Sequence, residues 1–110
     1  MIKSYIKESN NGSITLSIEG HAGAAEEGHD IVCSSVSILA YTLAQYVSEC
    51  FESDKLKQKP ILLLKKGRAS VTSVPKEEYY DDIRQAYAFA HIGLNLLSHN
   101  YPQYVDKTVW

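Results

Sequence analysis

Polar and apolar residues alternate strictly over residues 13–19, with an aliphatic side chain at every second position. A period of two is typical of a β-strand that buries one face. A less regular apolar run covers residues 2–7, and the Asn11-Gly12 pair between the two runs favours a tight turn. The two runs therefore predict an antiparallel hairpin.

From residue 30 onwards the spacing of apolar residues changes from two to three and four. This spacing predicts one long helix over about residues 31–51, with an apolar stripe on one side. Asp30 is a preferred N-cap residue type and would stand just before the first helical residue, Ile31. The stripe consists of Val32, Val36, Leu39, Ala40, Leu43, Ala44, Val47 and Phe51.

A second hairpin is predicted from two apolar runs, residues 61–64 and 69–74, which flank a turn at Gly67. The continuous leucines at 62–64 indicate a central strand that is buried on both faces. Pro75 fits the first turn of a second helix.

The apolar stripe of this second helix extends to Ser98, and residues 103–110 are expected to form a last edge strand. The order hairpin, helix, hairpin, helix predicts a single domain over residues 1–110. Its fold class would be α+β, a two-layer sandwich in which two long helices pack on one face of a mostly antiparallel sheet.

The net charge is −2 and charges of both signs are mixed along the chain, so no nucleic-acid partner is expected. No run approaches about 18 consecutive apolar residues and no signal peptide is evident, which predicts a cytoplasmic protein without a membrane partner. Cys33 and Cys50 fall on the same predicted helix, roughly 25 Å apart. That separation excludes a disulfide between them, and both thiols should be reduced.

His21 and Cys33 stand at the end of a predicted strand and at the start of a predicted helix. A cysteine attacks as thiolate, and backbone N–H groups in the first turn of a helix stabilise negative charge. The same N–H groups could donate hydrogen bonds to the oxyanion of a tetrahedral intermediate. With His21 as the base, Cys33 is a candidate nucleophile for acyl transfer.

Other interpretations of these residues stay open on the sequence alone. Asp30 could orient His21 or only cap the helix, and Ser37 could reach the site or only allow close packing. Cys33 could be an inert core residue, or it could join His21 and His29 in a zinc site. No cofactor is expected.

Three segments around these candidates form a specific pattern: Ile18-Glu19-Gly20-His21-Ala22, then Gly28-His29-Asp30-Ile31-Val32-Cys33, then Val36-Ser37 with Leu39. This pattern resembles that of the Prp family, the ribosomal-processing cysteine proteases, and the resemblance spans nearly the whole chain. It implies that His21 and Cys33 are the catalytic pair, supported by Gly20, Asp30 and Ser37.

The resemblance also implies a homodimer that removes an N-terminal extension from large-subunit ribosomal protein twenty-seven, or processes phage capsid or scaffold proteins. Ser34-Ser35 departs from the family, in which small apolar residues are usual. The segment 22–28, with Gly23 and Gly28, is expected to be a flexible loop that closes over a bound peptide. The alternative is a ribosome-associated binding module without catalysis.

Overall fold

The computed structural model describes residues 1–21 and 29–110, except for the side chains of His29 and Asp30. A short 3-10 turn, Glu77–Tyr79, leads into the second helix. The elements are β1 (Lys3–Glu8), β2 (Ile14–Glu19), α1 (His29–Glu52), β3 (Ile61–Lys65), β4 (Arg68–Ser73) and α2 (Tyr80–Asn100).

The four strands form one antiparallel sheet in the order β1-β2-β4-β3. In the register of the sheet, Leu16 of β2 stands between Ile6 of β1 and Val71 of β4. All three side chains are buried, as the alternation in residues 13–19 predicts for one face of the sheet. The first hairpin is thereby confirmed.

The two helices pack against each other and against the buried face of this sheet. One side of α1 is buried through Val32, Ala40 and Val47, which follows the predicted stripe. From α2, the buried Tyr87 reaches β4, where its hydroxyl lies 2.8 Å from Ser73 Oγ. The α+β architecture with two long helices is confirmed.

Helix α1 is long and apolar enough to span a membrane by length and composition, because an 18-residue window within Ile31–Glu52 has a mean hydropathy of 1.4. A search for uninterrupted apolar runs does not detect this helix, because serines interrupt its apolar sequence. The core helix of a folded domain meets the same criterion. The buried stripe of α1 accounts for much of its apolar content.

The prediction that residues 62–64 form a central strand is wrong, because β3 is an edge strand. Its side chains are largely uncovered, with Ile61 61%, Leu62 39% and Leu64 38% exposed. An apolar run shows only that a strand has no polar face. It does not show whether a second strand lies on each side.

Both helices begin at residues other than those predicted. Helix α1 starts at His29 instead of Ile31, so Asp30 lies inside the first turn and is not the N-cap. Acidic residue types are favourable in the first turn of a helix in general, because the helix dipole is positive at that end. Pro75 is buried and bridges to Leu56, ahead of the 3-10 turn, and is not in the first turn of α2.

The C-terminal residues lie along the outer edge of β1, but they do not form a regular strand. Two isolated parallel bridges join Ile2 to Val105 and Tyr5 to Val109. Between them the segment departs from the sheet, and the Thr108 hydroxyl packs inward at 2.8 Å from Ser4 Oγ. The predicted edge strand is thus only partly formed.

Candidate active site

A cleft of about 420 Å³ opens between the first half of α1 and the turn that joins β3 to β4. His21 and Cys33 both line it, together with Gly20 and Ser37. The fold therefore brings four of the five predicted site residues to one place. The side chain of the fifth, Asp30, lies outside the described part of the chain, as do Gly23 and Gly28.

His21 is exposed and lies two residues after the end of β2. Hydrogen bonds of the backbone at Gly20 and His21 fix its position. The Gly20 N–H donates to the Gly67 carbonyl oxygen at 3.0 Å. The ammonium group of Met1 donates to the His21 carbonyl oxygen at 2.7 Å. These two bonds fix the backbone from which the imidazole projects into the cleft.

The imidazole of His21 lies directly against Gly67, the turn residue between β3 and β4. A Cβ atom at Gly67 would overlap the ring, at 2.5 Å from Nε2. Gly67 also has a φ of +80°, a conformation that favours glycine. Gly67 therefore serves both the turn and the placement of the candidate base.

Gly20 is constrained in a similar way on the other side of His21. Its φ is +106°, and a Cβ atom there would overlap the Met1 carbonyl oxygen. A side chain at this position would push the N-terminal segment away from the end of β2. The absence of a side chain at Gly20 thus keeps Met1 close to the end of β2, next to His21.

Cys33 is half-buried and is the fifth residue of α1, next to the fully buried Val32. Helical side chains lean towards the N-terminus, so the Cys33 thiol is directed towards the first turn. The unpaired backbone N–H groups of that turn stabilise negative charge on sulfur or on an oxyanion. Ser37 lies one turn further along α1, exposed, on the same wall of the cleft.

Neither Ser34 nor Ser35 is among the described residues that line the cleft. Ser34 is exposed, and the Ser35 hydroxyl donates to the Ile31 carbonyl oxygen at 2.7 Å. Ser35 therefore lies on a side of α1 that is turned away from the cleft. Ser34 precedes Tyr41 by seven residues and so points in nearly the same direction as that cleft residue.

Sequence reasoning missed the wall that β3 and β4 contribute, from Leu64 to Ala69. It includes three basic residues, Lys65, Lys66 and Arg68, and no acidic residue occurs among the described residues of the lining. A basic rim favours negative charge within the cleft. The Lys65-Lys66-Gly67-Arg68 sequence signals a turn, but only the pairing of β4 with β2 brings that turn to His21.

The cleft thus offers a thiol, an imidazole and a helix N-terminus, which are the groups that thiol-dependent acyl transfer requires. Over residues 1–21 and 29–110 no cluster of three histidine, cysteine or acidic side chains could hold a metal ion. The zinc alternative depends on His29, whose side chain lies outside the described residues. Cys33 and Cys50 do not form a disulfide with each other, as predicted.

Several solved structures share this fold over nearly the full chain. The essential ribosomal processing protease Prp from S. aureus, in complex with a covalently linked product peptide, matches with a TM-score of 0.70 and 18% identity over 100% of both chains. The same protease with a substrate peptide matches with a TM-score of 0.68 and 16% identity, again over 100% of both chains. The SMU.848 protein from Streptococcus mutans matches with a TM-score of 0.69 and 22% identity, over 99% of this chain and 93% of the other.

No curated protein is significantly similar to this chain in sequence. The model of the family described as cysteine protease Prp, however, matches residues 1–106, which include the whole cleft. That match covers nearly the entire chain and agrees with the thiol, the imidazole and the fold. The chain therefore belongs to the Prp family of cysteine proteases.

Proposed function

We propose that this chain is a cysteine endopeptidase that removes the N-terminal extension of large-subunit ribosomal protein twenty-seven. The observation that carries the proposal is that His21 and Cys33 line one cleft at the N-terminal end of α1. The family match and the structural similarity to a ribosomal processing protease support the substrate class. A phage capsid or scaffold protein is the second substrate that fits the same chemistry.

In the proposed reaction His21 takes the proton of the Cys33 thiol, and the sulfur attacks the carbonyl carbon of the scissile peptide bond. Backbone N–H groups at the start of α1 donate hydrogen bonds to the resulting oxyanion. The carbon–nitrogen bond then breaks, and His21 returns the proton to the leaving amine. A water molecule hydrolyses the thioester, and the Cys33 thiol is restored.

The decisive test is cleavage of both candidate precursors by the wild type, Cys33→Ala and Cys50→Ala, followed by mass analysis. Cys33→Ala should abolish cleavage because it removes the nucleophile. Cys50→Ala should retain it, because Cys50 is 4% exposed in the core and does not line the cleft. The precursor that the wild type cleaves identifies the substrate.

Intact cleavage by Cys33→Ala would contradict the proposal. Binding of a precursor by the wild type without any change of its mass would instead favour a ribosome-associated binding module. A ribosomal substrate also places the enzyme in the cytoplasm, which is part of the same proposal. Fractionation of cells that produce the chain would test the location.

We also propose that the chain acts as a homodimer that associates through its helical layer. Phe89 is 64% exposed and Leu96 57% exposed on α2, beside the 60% exposed Ile38 of α1. A second copy would remove these apolar side chains from water. Light scattering should give the mass of two copies for the wild type and of one copy for Phe89→Lys.

The control for this test is Gln103→Lys, an exposed position outside the two helices. It adds the same side chain and should keep the dimeric mass. A monomeric wild type at micromolar concentration would contradict the dimer.

A further inference from the structure

The edge strand β3 leads directly into the cleft that contains Cys33. Leu64 of β3 lines the cleft, and Leu62 continues the same face of the strand away from it. No described residue pairs with the outer edge of β3. The open edge of β3 therefore ends at the cleft that Cys33 lines, and it offers an extended backbone surface outside that cleft.

The register of the second hairpin shows which backbone groups of β3 face outwards. Lys65 and Arg68 are partners across the two-residue turn, so this closing pair exchanges hydrogen bonds. Pairs alternate along an antiparallel ladder, so Leu63 bonds to β4 while Leu62 and Leu64 do not. The N–H and C=O groups of Leu62 and Leu64 therefore point to the open edge.

The side chains of these two residues lie on the helical side of the sheet. Leu64 stands opposite Ala69 and Leu62 opposite the buried Val71, and directly paired residues share a face. Both leucines are nevertheless more than one third exposed. Tyr41 of α1, 53% exposed, forms the facing wall of the cleft.

We propose that the substrate peptide binds as a fifth strand of the sheet, paired to the outer edge of β3, on the way to Cys33. The inference rests on the proposed endopeptidase function and specifies how that site recognises its substrate. Main-chain hydrogen bonds to Leu62 and Leu64 hold the peptide extended. Every second side chain of the peptide then faces the helical side, where Leu62, Leu64 and Tyr41 select apolar residues.

The first test uses synthetic peptides that span the cleavage junction of the ribosomal protein twenty-seven precursor, each with one N-methylated peptide bond. Their affinity is measured with the full-length Cys33→Ala variant, which cannot consume them. Methylation at every second residue should weaken binding about fivefold or more, because it removes one paired N–H and blocks the strand edge. Methylation at the residues between should leave the affinity nearly unchanged, because those N–H groups face solvent.

The second test compares Leu62→Lys with Ile61→Lys in the otherwise unchanged protein. Both substitutions add a lysine to β3, but Ile61 pairs with Thr72 and lies on the opposite face of the sheet. Leu62→Lys should lower kcat/KM for the peptide about tenfold, whereas Ile61→Lys should change it less than about twofold. Alkylation of Cys33 by iodoacetamide should proceed at the wild-type rate in both variants, which shows that the cleft itself is intact.

The outcomes separate this inference from the proposed function. Strand addition alone would be overturned if the wild type cleaves the precursor but Leu62→Lys and Ile61→Lys have equal effects on kcat/KM. The same holds if the wild type cleaves but the methylated peptides show no two-residue period in affinity. Absence of cleavage of any precursor would contradict the endopeptidase function, and strand addition with it.

Discussion

The His21 ring is confined on the side of the β3–β4 turn, because Gly67 leaves room for it only by having no side chain. The position of the candidate base thus depends on a residue that is remote from it in sequence. His21 and Cys33 themselves can be proposed from one short segment of sequence. The role of Gly67 cannot, because it arises from the pairing of β2 with β4.

Gly67→Ala is expected to lower kcat/KM at least about tenfold, because the new Cβ displaces the His21 ring from the cleft. The matched control is Gly12→Ala. Gly12 has a φ of +86°, close to the +80° of Gly67, but a Cβ there meets no atom within 4 Å. Both variants should lose about 1 kcal/mol of stability from backbone strain, measured by urea unfolding.

Only Gly67→Ala should lose activity beyond what its stability explains. Equal activity of the two variants, measured well below their unfolding midpoints, would show that contact with Gly67 does not position His21.

Helix α2 is tied to the sheet by one buried tyrosine as well as by apolar packing. The Tyr87 hydroxyl donates to the Val71 carbonyl oxygen at 3.3 Å and lies 2.8 Å from Ser73 Oγ. Burial raises the pKa of Tyr87 above its usual range, so the side chain stays neutral. The contact links α2 to the end of β4, the strand that begins at the cleft.

Tyr87→Phe should cost about 1 kcal/mol of unfolding free energy, because Ser73 Oγ loses its buried partner while the ring packing remains. Urea unfolding followed by circular dichroism measures this loss. Cleavage activity at low temperature should be unchanged, because Tyr87 does not line the cleft. A variant as stable as the wild type would show that the hydroxyl contributes no net stability.

The elements with one buried face could be predicted from the sequence, whereas β3 could be predicted as a strand of the second hairpin but not as an edge strand. Apolar residues alternate with polar ones in residues 13–19 and form a stripe along α1. Both patterns arise because one face of each element is buried in the same core. Strand β3 has the apolar composition of a buried strand, yet it lies at an open edge. Its position depends on which strands pair, and apolar composition carries no information about pairing partners.

At the scale of the whole molecule, Glu8 joins three distant parts of the chain. Its carboxylate at the end of β1 accepts hydrogen bonds from Arg84 Nε at 2.8 Å, Tyr80 Oη at 2.7 Å and Trp110 Nε1 at 3.0 Å. The hydrogen bonds from Arg84 and then Tyr80 lower the pKa of Glu8 from 4.5 to about 2. This cluster fastens the start of α2 and the C-terminal segment to the first hairpin.

Glu8→Gln should lower stability at neutral pH by up to about 1 kcal/mol, a modest amount because the cluster is partly exposed. A lowered pKa means that the unfolded state takes up a proton first as the pH falls. The contribution of Glu8 is therefore present above pH 4.5 and is lost as the pH falls towards about 2. Urea unfolding of both proteins across this range measures the difference.

The stability difference between the wild type and Glu8→Gln should narrow steadily over that interval. A constant difference from neutral pH down to about 2 would mean that the charge of Glu8 is not what stabilises the cluster.

Val105 bridges to Ile2, just before β1, and Val109 bridges to Tyr5 within β1. These two bridges limit how copies of this protein can associate through their sheets. They cover one border of the sheet with the chain's own backbone, so among residues 1–21 and 29–110 only β3 leaves a border that can accept another strand. Growth of cross-β fibrils requires two free borders on every subunit. If two such sheets pair along β3, neither sheet keeps an unpaired edge among its described strands. This type of contact therefore stops at two copies and does not extend into fibres.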